Sequence, residues 1–200
     1  MEPDQSRQFF AKPFEIDPDI YDARIGRALA GCATRLVATH DQFPIVVLEY
    51  ENVIASYEAR TFVTSGLGLF PLHDADLNGY VSREFAVSIS SGAPLENLLA
   101  FIKNVTDAIL DAKETPSIGS CFAWSAALRH LDLKNVNHIF VGHAFLDPEI
   151  RTFNVEGLPE THVLELIPLT DAEVDDLENG SSGIPEYFHD RKLNPTCLRR

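Results

Sequence analysis

Over 19–39 apolar residues recur three or four positions apart: Ile20, Tyr21, Ile25, Ala28, Leu29, Cys32 and Leu36 share one side of a 3.6-residue spiral. That spacing predicts a helix, with Asp19 as its N-cap just after Pro18 and Gly31 as a weak point inside it. Residues 1–18, broken by Pro3, Pro13 and Pro18, read as an irregular arm ahead of a folded domain over 19–200. The period then changes. Ile45, Val46, Val47 and Leu48 suit a buried strand over 44–51, and the Phe, Val and Thr of 60–65 suit another that stops at Gly66. Over 80–90 the alternation puts Val81, Arg83, Phe85, Val87 and Ile89 on one face, with Glu84 and Ser88 on the other.

A second helix is predicted over 95–112, its stripe made of Leu98, Leu99, Ile102, Val105, Ile109 and Leu110, with Pro94 before it and Pro116 beyond. Strand-like segments follow over 118–126, 137–145, 152–155 and 162–169. Thr170 and Glu173 then have capping-box spacing and open a short helix that ends near Gly180. Two or three helices among antiparallel-looking strands predict a single α+β domain with a mostly antiparallel sheet. No repeat and no linker marks a second domain.

With 200 residues, 45% hydrophobic and 23% charged, the chain can bury a core and lies outside the composition of disordered proteins. No apolar run is long enough to cross a bilayer, and the start has neither the basic nor the apolar region of a secretory leader. Cys32, Cys121 and Cys197 are odd in number and far apart, which argues against a disulfide framework or a paired zinc site. A cytoplasmic protein is the expectation, with no membrane partner.

The net charge of −14 argues against nucleic acid as a partner, because phosphate binding needs clustered Lys and Arg. The charge is concentrated: over 147–190 twelve acidic residues face one basic residue, Arg151. The helix after Thr170 carries Asp171, Glu173, Asp175, Asp176 and Glu178 with no Lys or Arg. Repulsion there costs on the order of tenths of a kcal/mol per close pair. A basic protein would relieve it and be steered toward it. These five acids are therefore the candidate protein-binding residues; a merely solvating acidic face is the competing explanation.

Asp74, Asp76, Asn78 and Gly79 match the opening of an EF-hand loop, yet Phe85 occupies the position of its closing glutamate and Glu84 falls one residue short. A turn in which Asn78 and Gly79 supply positive φ fits the strand-like flanks; weak calcium binding by Asp74, Asp76, Asn78 and Glu84 is the alternative. Gly66 and Gly68 lack the third glycine and the helix of a dinucleotide site, so no cofactor is expected. His138 and His143, five apart on a strand, would face opposite sides. A hydrolase-type site could still be assembled from scattered acids and histidines, or a nucleophile and base from Cys121 and His143. Such an enzyme needs a deep pocket of titratable groups.

Several segments, in order, resemble the Suppressor-of-fused-like (SUFU) domain family, its bacterial branch in particular. Phe62, Val63, Thr64, Ser65 and Gly66 resemble that family's Thr-Ser-Gly strand end, and 80–87 resembles the following strand with its glutamate, here Glu84. The 95–112 helix and the Gly119 segment come next in the same order. The run from His162 through Pro168 to Glu173, with Gly180 beyond, resembles the family's strand, proline and acidic helix. The likeness covers roughly residues 40–195. It implies an α+β protein-binding domain with no catalytic residues, of the kind thought to serve in bacteria as an immunity protein against a toxin. The basic toxin domain that this resemblance implies as a partner matches the charge.

Overall fold

The fold is organised around one parallel strand pair, flanked on both sides by antiparallel neighbours. The computed structural model describes residues 20, 23–26, 34–36, 45–51, 59–89, 94–124, 128, 131, 136–143, 145, 146, 148, 151–180 and 183–196. Among them nine strands form one mixed sheet: β1 (Thr34–Leu36), β2 (Val46–Glu51), β3 (Arg60–Ser65), β4 (Leu72–Asp74), β5 (Gly79–Ile89), β6 (Cys121–Ala123), β7 (Val136–Gly142), β8 (Thr152–Phe153) and β9 (Thr161–Thr170). The order across the sheet is β1-β2-β3-β5-β9-β7-β6, with β4 added to β5 and β8 to β9. The central pair β5–β9 is parallel, with Arg83 beside His162 and Glu84 beside Val163. The remaining strand pairs are antiparallel. Parallel strands cannot be joined by a hairpin, and residues 90–160 supply the long crossover they require.

That crossover carries helix α1 (Leu95–Ala112), whose Leu98, Ile102, Val105, Ile109 and Leu110 are buried as the stripe predicts, while Phe101 is buried in addition and Leu99 only partly. It ends where Lys113 turns left-handed at φ 61° and its N–H returns to the Ile109 carbonyl. Helices α2 (Asp171–Asn179) and α3 (Ile184–Asp190) follow β9 directly. Beneath them Val174, Ile184, Tyr187 and Phe188 bury against Ile167 and Leu169 in a cluster of their own. The larger core contains Phe62, Phe85, Phe101 and Leu164 and joins the sheet to α1.

The α+β class and the mostly antiparallel sheet are as the pattern predicts. The arm over 1–18 lies outside the described residues. The helix predicted over 19–39 is corrected: residues 23–26 are helical, but Thr34–Leu36 forms strand β1, paired with Val47, Leu48 and Glu49 of β2. Apolar residues three or four apart on either side of Gly31 imitated one stripe, while pairing with β2 decided the second half. The strand predicted over 118–126 begins only at Cys121, because Gly119 turns at φ 86°; residues 125 and 126 lie outside the described residues. Strand β4 and helix α3 were not anticipated; β4 is three residues long, and α3 is short with a proline in its first turn. Among the described residues no helix is long and apolar enough to cross a membrane.

Candidate functional site

Helix α2 is launched by the predicted capping box. The Thr170 hydroxyl accepts the Glu173 N–H at 3.2 Å, and Glu173 Oε2 accepts the Thr170 N–H at 2.8 Å. Glu173 is consequently buried at the helix start and belongs to the cap. Asp171 reaches across to β7, where Asn137 Nδ2 donates to both its oxygens and His138 Nε2 lies 2.9 Å away. Asp176 accepts from Arg191 at 2.8 Å and from the Tyr187 hydroxyl at 3.4 Å. Asp175 and Glu178 are exposed, and among the described residues their carboxylates have no partner. Partners for the acidic helix thus come from β7 and from the turn after α3, which its own sequence does not reveal. Three residues apart, Asp175 and Glu178 share one side of the helix.

Glu178 borders a groove of about 420 Å³ that runs between the sheet edge and the two C-terminal helices. Its walls are Cys121 and Phe140 from β6 and β7, with Val174, Leu177 and Ile184 from the helices. Across β6 a second groove of about 350 Å³ is lined by Ile109 and Ala112 of α1 together with Pro116, Phe122 and Trp124. The edge strand β6 therefore has apolar recesses on both sides, each bordered by an exposed carboxylate: Glu178 beside the C-terminal helices and Glu114 beside α1.

Cys121 is exposed, and burial of its thiol group and the nearby Glu178 charge push its pKa up. This is the reverse of what a nucleophile needs. His143, the base considered for it, instead faces His162 with ring centroids 6.0 Å apart. Among the described residues neither ring is hydrogen-bonded to a Ser, Thr or Cys side chain. The cysteine–histidine arrangement is thereby corrected.

The remaining charged candidates serve the interior. Arg83 and Glu84 are adjacent on β5, are 1% and 0% exposed, and point to opposite faces. Glu84 Oε1 accepts the N–H groups of Gly66 at 3.0 Å and Gly68 at 2.8 Å, while Oε2 accepts the Thr64 hydroxyl. Gly66 stands at φ 106°, a conformation open to glycine. On the other face Arg83 Nη2 donates to Asp74 Oδ2 at 2.9 Å, and Asp74 Oδ1 accepts the amides of Asp76 and Leu77. Burial alone would raise the Asp74 carboxyl, but hydrogen bonds from Leu77 and Arg83, with the Arg83 charge, outweigh it and hold the pKa below its ordinary value. Residues 74–78 are thus a hairpin turn with Asn78 at φ 47°. The calcium alternative is corrected on geometry, since Asp74 is committed to Arg83 and Glu84 points away from it.

Glu165 on β9 repeats the Glu84 arrangement: its Oε2 accepts the amides of Phe145 at 2.6 Å and Leu146 at 3.1 Å, in the loop after β7. Burial pushes its pKa to about 7 against the pull of those amides and of Arg151. Three residues before it on the strand, His162 lies on the opposite face, so this acid and this histidine do not share a site. A buried anchor of this kind leaves one sequence signal, a lone acid inside an apolar strand.

The fold is a SUFU-like α+β fold. Its structure is similar to the Sufu–Fu complex crystal structure, with a TM-score of 0.55 and 10% identity, covering 80% of this chain and 78% of that chain. It is also similar to Drosophila Suppressor of Fused, with a TM-score of 0.55 and 11% identity, covering 79% of this chain and 42% of that chain. The chain therefore spans less than half of the Drosophila protein. No protein-family model matches the chain, and no curated protein matches it in sequence. At these identities the likeness is one of fold.

Proposed function

We propose that the chain is a non-enzymatic protein-binding module that docks a basic protein across α2 and the groove beside it. The observation that carries this is the pairing of an apolar groove with an acidic border: Val174, Leu177, Phe140 and Ile184 form walls, and Glu178, with Asp175 one turn earlier, supplies unneutralised charge. A partner segment with an aliphatic or aromatic side chain flanked by Lys or Arg would fill the groove and neutralise the border. Of the five acids named from the sequence, Asp175 and Glu178 are free to act directly, Asp171 and Asp176 stand at the margin already hydrogen-bonded to Asn137 and His138 and to Arg191, and Glu173 holds the helix start.

The finer form of the proposal is a bacterial immunity protein that neutralises a basic toxin domain in the cytoplasm. Three things support it: the charge of −14, the twelve acids over 147–190, and a fold similar to one solved as a complex of Sufu with Fu. Proteins that act on nucleic acid carry basic clefts, to which an acidic face is complementary. The test is a low-salt pull-down from the native cell lysate, eluted with a salt gradient and repeated with the D175K/E178K variant. A basic protein released by moderate salt and lost by the variant is expected. Undiminished capture by the variant would overturn the surface, and identification of the captured protein as no toxin would overturn the immunity role.

A further inference from the structure

A buried arginine and two histidines meet where the parallel pair β5–β9 begins and the chain leaves β7. Arg83 is almost wholly buried, yet among the described residues only its Nη2 is hydrogen-bonded; Nε and Nη1, which carry most of its donors, have no partner there. His162 sits beside it in the strand register, and the His143 ring lies 6.0 Å from that of His162, tilted by 37°. Both rings also keep a buried Nδ1 without a partner among the described residues. The charged groups around them are Arg151, whose Nε donates to the Leu146 carbonyl, Glu160, 3.3 Å from His162 Nε2, and Asp74 on Arg83. Buried donors are rarely left open, because burial deprives them of water. The His162 side chain is 28% exposed, so the cluster reaches solvent.

We infer that Arg83, His143 and His162 form a recognition site for a single oxyanion, a carboxylate or a phosphate group. The guanidinium supplies the fixed charge, and each imidazole becomes a second donor at Nδ1 when it takes up a proton. In the absence of an anion, burial and the neighbouring cations hold both histidines below their ordinary pKa, with His162 and Arg151 acting on His143 and Arg83 on His162. An arriving anion reverses that balance, so it binds together with protons and more tightly as the pH falls. This site stands apart from the α2 groove and its outcome does not depend on that docking face.

The experiment is NMR observation of the histidine ring signals in the full chain, titrated with inorganic phosphate and separately with acetate, at ionic strength matched with chloride. Saturable movement of His143 and His162, and a higher titration midpoint for both, is expected, while the other five histidine signals do not respond to the anion. A response to phosphate, to acetate or to both identifies the source of the oxyanion. Uniform movement of all seven histidine rings, or of none, overturns the site. Because Arg83→Met would strip Asp74 of its partner and endanger the fold, the H143Q/H162Q variant is the second arm. It should weaken binding about tenfold, and unchanged affinity would also overturn the site.

Discussion

Two regions of this molecule hold acidic groups and treat them in opposite ways. Along the central strands Asp74, Glu84 and Glu165 are buried and each takes up two backbone amides, so their charge shapes loops. On helix α2 Glu173 repeats that behaviour at the cap, but Asp175 and Glu178 hold nothing within the described chain. A carboxylate tied to amides belongs to the fold, and removing it leaves donors stranded. A carboxylate left open in water can be spent on a partner at little cost to stability.

Glu84→Ala should give the largest loss. It strands the Gly66 and Gly68 amides and the Thr64 hydroxyl in the core, which predicts about 3–5 kcal/mol less stability in urea unfolding. An effect below about 1 kcal/mol would erase the distinction between the two regions.

Glu165 sharpens the comparison through pH. With a folded pKa of about 7 against an ordinary 4.5, the folded chain holds more protons between those values. Its stabilising contribution is complete below pH 4.5 and is lost as the pH rises through 7, a change of about 3 kcal/mol. His143 and His162, whose pKa values are lowered, act in the other direction: stability rises as the pH passes up through their ordinary 6.5. Glu165→Gln keeps an oxygen for the two amides and removes only the carboxylate's titration. The difference between the wild-type and E165Q stability profiles should show the fall, and parallel profiles would refute it.

At the boundary of the two regions, Thr170→Ala removes the cap hydroxyl and should cost about 1 kcal/mol, read from the shift in the unfolding midpoint. D175K/E178K should change stability least, by no more than about 0.5 kcal/mol, while abolishing capture of a basic partner. A large destabilisation by that pair would place these acids with the fold.

Local rules carried much of the fold. The α1 stripe, the Thr170–Glu173 box and the strand over 162–169 were legible because each is decided by neighbours in sequence. Strand β1 was not, since its pairing partner lies on β2, beyond the reach of periodicity. The segments quoted for the SUFU likeness prove to touch: Thr64 and Gly66 from one meet Glu84 from the other. Of the site, the acids on α2 were visible. The groove, His138 and Arg191 were not, because β6, β7 and the chain after α3 meet α2 only on folding. Arg83 showed itself faintly, as a cation on the apolar face of a strand.

The docking face is tested most directly by a photo-crosslinking residue placed at Leu177, on the groove wall, and separately at Asp111, on α1. With the native partner in lysate, Leu177 should yield a basic protein whose crosslink fades with added salt and disappears in D175K/E178K, while Asp111 should yield none. Equal crosslinking from both positions, or a Leu177 product indifferent to salt and to the charge reversal, would contradict the assignment of α2 and its groove as the binding surface.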